Sequence, residues 1–124
     1  MPTHKKLNAE QIYILQEKGT ERPGSSPLNF EKRSGIYYCA NCHNPLFKSG
    51  AKYESGSGWP SFYIPYSAEV LEEHSDTSHG MIRTEICCAS CHGHLGHVFK
   101  DGPQPTGLRY CVNGLALEFE PERE

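Results

Sequence analysis

The residue best suited to nucleophilic chemistry is Cys111, in the run Arg109-Tyr110-Cys111-Val112-Asn113, with no cysteine near it in the chain. Read as a strand, this run has a period of two: Arg109, Cys111 and Asn113 share one face, and Tyr110 and Val112 the other. A cation and an amide then flank the thiol. A thiol of ordinary pKa is only about 3% thiolate at neutral pH, and a neighbouring guanidinium favours the attacking anion. The alternative is a small buried cysteine in a core strand. His94 and His97, in His94-Leu95-Gly96-His97, add two imidazoles suited to giving or taking a proton. The same His-x-x-His spacing also fits a metal pair or a surface pair. Gly58-Trp59-Pro60-Ser61-Phe62 sets the single tryptophan in a Gly/Pro turn, as a binding wall or as core packing.

The remaining cysteines divide differently. Cys39/Cys42 and Cys88/Cys91 are two Cys-x-x-Cys pairs, and each can form a tight knuckle that aims two sulfurs at one ion. Four thiolates complete a tetrahedral shell and leave no open position, so the expectation is one structural zinc ion per chain, with a four-thiolate iron site as the other choice. Cys87 could replace Cys88, but the matching spacing of the two pairs favours Cys88 and leaves Cys87 a free thiol. His43 and His92, which follow ligand cysteines, are expected outside the shell.

These side chains need a scaffold. With 12 Gly and 9 Pro in 124 residues and 36% hydrophobic residues, the chain implies one small, turn-rich domain that gains from a metal tether. Asn8 and Gln11 form a capping-box pattern, with Leu7 and Ile12 as a hydrophobic staple and Gly19 as a stop, predicting a helix over 9–18. Residues 1–34 read as this helix plus a wrapping segment, 35–120 as a β-rich catalytic unit, and 121–124 as a tail. Strands are expected at 36–38, 46–47, 52–54, 81–87, 97–99, 109–112 and 115–120. The last alternates cleanly, with Leu115, Leu117 and Phe119 on one face. Glu21 to Ser34 is expected to hold no catalytic group. Net charge is −3, which argues against nucleic acid as a partner. Met1 to Lys18 is polar and no stretch is long and apolar enough for a membrane, so a cytoplasmic protein with reduced thiols is expected.

Taken together, Tyr38-Cys39-Ala40-x-Cys42-x-x-Pro45-Leu46-Phe47, Ser55-Gly56-x-Gly58-Trp59-Pro60-Ser61-Phe62, Ser78-His79-Gly80-Met81, His94-Leu95-Gly96-His97-Val98-Phe99 and Arg109-Tyr110-Cys111-x-Asn113 resemble the B-type peptide methionine sulfoxide reductases. The resemblance covers nearly everything after residue 20, with the motifs in order. It implies a mainly β fold of two antiparallel sheets forming a small barrel-like domain, with short N-terminal helices and a zinc staple. It also implies reduction of the R epimer of methionine sulfoxide, chiefly in proteins. Cys111 would be the nucleophile, His97 the acid assisted by His94, and Arg109 and Asn113 polar support. Trp59, Phe62 and His79 would contact substrate, and Cys39, Cys42, Cys88 and Cys91 would hold zinc.

The implied partners are oxidised proteins or peptides, with thioredoxin or a small thiol as reductant, and the chain is expected to be a monomer. Ser57 stands where many members of that family carry a resolving cysteine, which leaves Cys87 as a possible resolving thiol and direct external reduction as the favoured route. A zinc-ribbon-type binding module without catalysis is the competing class. It gives Cys111 no purpose.

Overall fold

A computed structural model describes residues 7–17, 19–22, 24, 26–77 and 80–122. His79 therefore lies outside the described residues. Helix α1 (Ala9–Leu15) opens with the capping box: Gln11 N–H donates to Asn8 Oδ1 at 2.8 Å, and Asn8 N–H donates to Gln11 Oε1 at 3.0 Å. It is shorter than the sequence suggests, ending at Leu15. Gly19 N–H returns to the Tyr13 carbonyl, and Ile14 and Leu15 are buried beneath. A 3-10 turn at Pro27–Phe30, capped by Ser26, follows.

Nine strands among the described residues form two antiparallel sheets: β1 (Gly35–Cys39), β2 (Pro45–Lys48), β3 (Lys52–Tyr53), β4 (Ser61–Phe62), β5 (Leu71–Asp76), β6 (Arg83–Cys88), β7 (His94–Phe99), β8 (Arg109–Val112) and β9 (Leu117–Pro121). The smaller sheet has the order β2-β1-β9 and the larger β3-β4-β8-β7-β6-β5. Two of these strands have no counterpart in the sequence reading. β4 is two residues long inside a Gly/Pro turn, and β5 is a polar edge strand whose burial shows no clean alternation. The 115–120 expectation is also corrected. Gly114–Ala116 is a 3-10 turn, and the strand begins only at Leu117.

The core joins the two sheets through aromatic side chains. Phe62 stacks on Phe47 with centroids 4.2 Å apart and meets Tyr37 edge-on at 5.1 Å, and Tyr37 lies 4.8 Å from Phe119. Leu46, Ile86, Leu95 and Val112 fill the rest, all fully buried. This packing fixes the opposite face of the larger sheet. On that face one row of paired residues crosses from β3 to β5: Tyr53, Ser61, Cys111, His97, Glu85 and His74. A cysteine, two histidines and a glutamate thus share one face because their neighbours in sequence are needed in the core.

Candidate active site and metal centre

The two knuckles are built alike. His43 N–H donates to the Cys39 carbonyl at 2.8 Å and His92 N–H to the Cys88 carbonyl at 2.7 Å, and both histidines turn with positive φ, 64° and 66°. That turn points the sulfurs inward and the imidazoles outward. His43 stacks on Tyr38 and pairs with Glu118 and Glu120, and His92 pairs with Glu72. Cys39, Cys42, Cys88 and Cys91 form one cluster, with Cys39 and Cys91 sulfurs 3.7 Å apart and Cys42 and Cys88 sulfurs 3.6 Å apart.

A tetrahedral ion with metal–sulfur bonds of about 2.3 Å needs sulfur–sulfur edges of about 3.8 Å, so the cluster has the size for one. Hydrogen bonding to Cys88 and Cys91 pushes Cys39 up, while hydrogen bonds from Cys39 and Cys88 pull Cys91 below the usual thiol range. A cation would relieve that crowding by holding all four as thiolates. One knuckle follows β1 and the other follows β6, so the cluster ties the two sheets together.

Cys111 opens into a pocket of about 270 Å³ lined by Thr20, Ser57, Trp59, Arg83, Gly96, His97, Phe99, Arg109, Cys111 and Asn113. Cys111 is directly opposite His97 on β7 and opposite Ser61 on β4. At Gly96 a β-carbon would collide with the Cys111 carbonyl, so the glycine allows the close approach of β7 and β8. Ser57 Oγ lies 4.0 Å from Cys111 Sγ, within a hydroxyl network that includes Ser55 and Ser61.

The state of the thiol departs from the sequence expectation. Burial pushes Cys111 above the usual thiol range, and the Ser57 hydroxyl and Arg109 guanidinium lower it only in part. Arg109 is shared: its Nε donates to Asp101 at 2.9 Å, its Nη2 donates to the same carboxylate at 3.2 Å, and its guanidinium lies 4.4 Å from the Phe99 ring centre. Desolvation therefore outweighs the cation in setting the proton affinity of the thiol.

His94 and His97 are three apart, a spacing that in a regular strand would place them on opposite faces. A register shift changes that: Ile86 pairs with Gly96 but Cys87 pairs with His94, leaving Leu95 as an extra residue on β7. Both imidazoles now face the same side, with ring centres 5.6 Å apart and edge to face. His97 Nε2 is 2.7 Å from Asp76 Oδ2, to which Arg83 also donates at 3.3 Å. His94 lies behind, buried, with its Nδ1 2.7 Å from Glu85 Oε2. Asn113 secures the bulge: its backbone N–H and its Nδ2 both donate to the Leu95 carbonyl.

Most of the expected residues converge, and among the described ones Phe62 and Cys87 do not. Phe62 is fully buried and pairs with Tyr110 on the core side, so it packs in the core and does not line the Cys111 pocket. Alternation decides this: Ser61 faces Cys111, and its successor must face the other way. Cys87 is buried beside Glu85 and His94, on β6, with β7 between it and Cys111. Three residues outside the sequence reading also belong to the site's frame: Asp76, Glu85 and Glu21. Asp76 and Glu85 sit in or opposite strands whose pairing no local pattern predicts. Glu21 lies in a stretch that looked like plain connection.

A half-buried thiol set opposite an imidazole in a pocket walled by an indole has the make-up of an enzyme active site. The SelR domain family matches residues 7–121, and the chain belongs to that family. It is 56% identical over 115 residues to the peptide methionine sulfoxide reductase MsrB of Pseudomonas putida strain W619, covering 93% of this chain and 86% of that protein. The protein of the same name from Agrobacterium fabrum is 55% identical over 93% of this chain and 85% of its own length. That from Bradyrhizobium diazoefficiens is 55% identical over 95% and 85%. No helix among the described residues is long and apolar enough to cross a membrane.

Proposed function

We propose that this protein reduces the R epimer of methionine sulfoxide in peptides and proteins to methionine, with Cys111 as nucleophile. The observation that carries the reading is the direct pairing of Cys111 with His97 across β7 and β8, which brings a sulfur nucleophile and a proton carrier to one pocket. A sulfoxide sulfur accepts a thiolate only when its oxygen is protonated as it leaves. Trp59 and Phe99 supply apolar surface for the methyl group, and Arg109 the polar edge.

The electrons balance in two stages. The Cys111 sulfur attacks the sulfoxide sulfur while the thiol proton passes, by way of His97, to the oxygen, so that the sulfur–oxygen bond breaks and hydroxide leaves. Hydroxide then attacks the Cys111 sulfur, the new sulfur–sulfur bond breaks, and the products are the thioether and a sulfenic acid on Cys111. An external thiol then displaces water from the sulfenic acid to form a mixed disulfide, and a second thiol releases Cys111 and leaves as disulfide. Asp76 and Arg83 hold His97 in place, and Glu85 holds His94.

The resolving step uses an external thiol, with thioredoxin or a small thiol as donor. Cys87 is two strands from Cys111, and strand spacing puts that separation at about 9–10 Å, beyond the reach of about 7 Å between Cα atoms that a disulfide allows. Cys39, Cys42, Cys88 and Cys91 hold one structural zinc ion, which contributes folding energy and takes no part in the reaction. The described residues before 35 belong to the same domain as the sheets, and the chain works as a monomer in the cytoplasm.

The test is reduction of resolved methionine sulfoxide epimers by the unmodified protein and by Cys111→Ser, with dithiothreitol as reductant. R-specific turnover that vanishes in Cys111→Ser, with melting temperature and zinc content preserved, is the expected result. Turnover retained by Cys111→Ser would remove Cys111 from the chemistry.

A further inference from the structure

We propose that Glu21 is a positioning residue for the Cys111 pocket, fixing the indole of Trp59 and the turn that follows Cys111. The proposal rests on the reading of Trp59 as the wall for the substrate methyl group.

Glu21 is buried, and a buried carboxylate is unfavourable unless its oxygens are hydrogen-bonded. Here both are: Gly114 N–H donates to Oε2 at 2.9 Å and Leu115 N–H to Oε1 at 3.0 Å. These amides open the 3-10 turn Gly114–Ala116, and the residue at its N-cap, Asn113, makes no side-chain cap. Asn113 is engaged elsewhere, donating to Leu95 and accepting the Glu21 backbone N–H at 3.0 Å. A carboxylate from the far N-terminal part of the chain therefore caps the turn that Asn113 would ordinarily cap.

The main chain of Glu21 extends the same hold to the other side of the pocket. Its carbonyl accepts the Trp59 indole N–H at 2.9 Å, and Gly24 N–H donates to the Gly58 carbonyl at 2.6 Å. Glu21 is thus bonded to both flanks of the Cys111 pocket, the indole and the Asn113 turn. The fit at the turn is close: a β-carbon at Gly114 would collide with Ser26 and stand 3.4 Å from Glu21 Oε2. Burial raises the proton affinity of the carboxyl and the two amides offset part of that rise, as expected for a group held by bonds to the main chain.

Trp59 is the only tryptophan, so intrinsic emission reports its surroundings directly. Glu21→Ala and Glu21→Gln are compared with the unmodified protein for emission, acrylamide quenching, KM and kcat on a methionine-R-sulfoxide peptide. Glu21→Ala should move emission to longer wavelength, increase quenching, and raise KM about tenfold, the change that loss of about one hydrogen bond of positioning produces, with kcat altered less. Glu21→Gln keeps one acceptor and should fall between, and it carries the test alone if Glu21→Ala does not fold. A lower melting temperature with unmoved emission and unmoved KM would overturn the proposal, as would a raised KM with unmoved emission. Trp59→Ala, measured alongside, separates the two readings. If it leaves KM unchanged, the indole is not the substrate wall, whereas the emission of the Glu21 variants still scores the hold on Trp59.

Discussion

Ser57→Cys should convert this enzyme from direct reduction by an external thiol to an internal disulfide. Ser57 Oγ is already 4.0 Å from Cys111 Sγ, and the two residues are 54 apart in sequence. The Ser57 loop is flanked by Gly56 and Gly58, both at positive φ, so its backbone suits the closure to a sulfur–sulfur bond of about 2 Å. Closing a loop of that length removes unfolded-state entropy equivalent to about 4 kcal/mol, as an upper figure. Spread over the unfolding entropy of a chain this size, that corresponds to a rise in melting temperature of at most about 15 °C in the oxidised form. Replacing the hydroxyl offsets part of this, because Ser57 bonds Ser55 and the Trp59 backbone.

The assay adds one equivalent of methionine-R-sulfoxide peptide without reductant, then reads thiols, disulfides and sulfenic acid by mass spectrometry, with a thermal scan. The unmodified protein should end with Cys111 trappable by a sulfenic acid reagent. Ser57→Cys should end with a 57–111 disulfide and a higher melting temperature. A Cys87–Cys111 disulfide in the unmodified protein would refute the reasoning about strand separation. Failure of Ser57→Cys to form its disulfide would refute the proximity argument.

Three further outcomes are expected. His97→Ala should slow the single-turnover reductive step by roughly 10²–10⁴-fold, the usual span for a positioned acid, and His94→Ala by less; rapid-quench rates equal to the unmodified enzyme would assign the proton elsewhere. Cys88→Ser should release zinc and lower the melting temperature, checked by metal analysis and calorimetry, while an unchanged melting temperature would show that the four-sulfur cluster does not tether the sheets. Iodoacetamide should modify Cys111 in the substrate-free protein with a midpoint above that of an ordinary thiol, because burial raises its pKa. The sign for stability follows: a pKa raised on folding contributes stability below the unfolded value, and that stability is lost as pH rises through the folded one. A midpoint below the ordinary range would mean that Arg109 outweighs burial.

Some of the protein is legible in the chain because its causes are local. The capping box of α1 needs only residues 8 and 11, a Cys-x-x-Cys knuckle needs only one tight turn, and the period of β8 puts Arg109 and Cys111 on one face. Other features arise only when distant segments meet. The bulge at Leu95 turns a His-x-x-His pair onto one face, and it exists through the pairing of β6 with β7. Phe62 belongs to the core because a two-residue strand presents Ser61 to Cys111, a fact the Gly-Trp-Pro turn conceals. The raised proton affinity of Cys111 comes from a contest between burial and a guanidinium shared with Asp101 and Phe99, and burial is a property of the assembled sheets. Glu21 is the extreme case: its partners at Trp59, Asn113, Gly114 and Leu115 are far along the chain. Local patterns record which side chains can do chemistry, and the folded backbone decides which of them meet and in what state of charge.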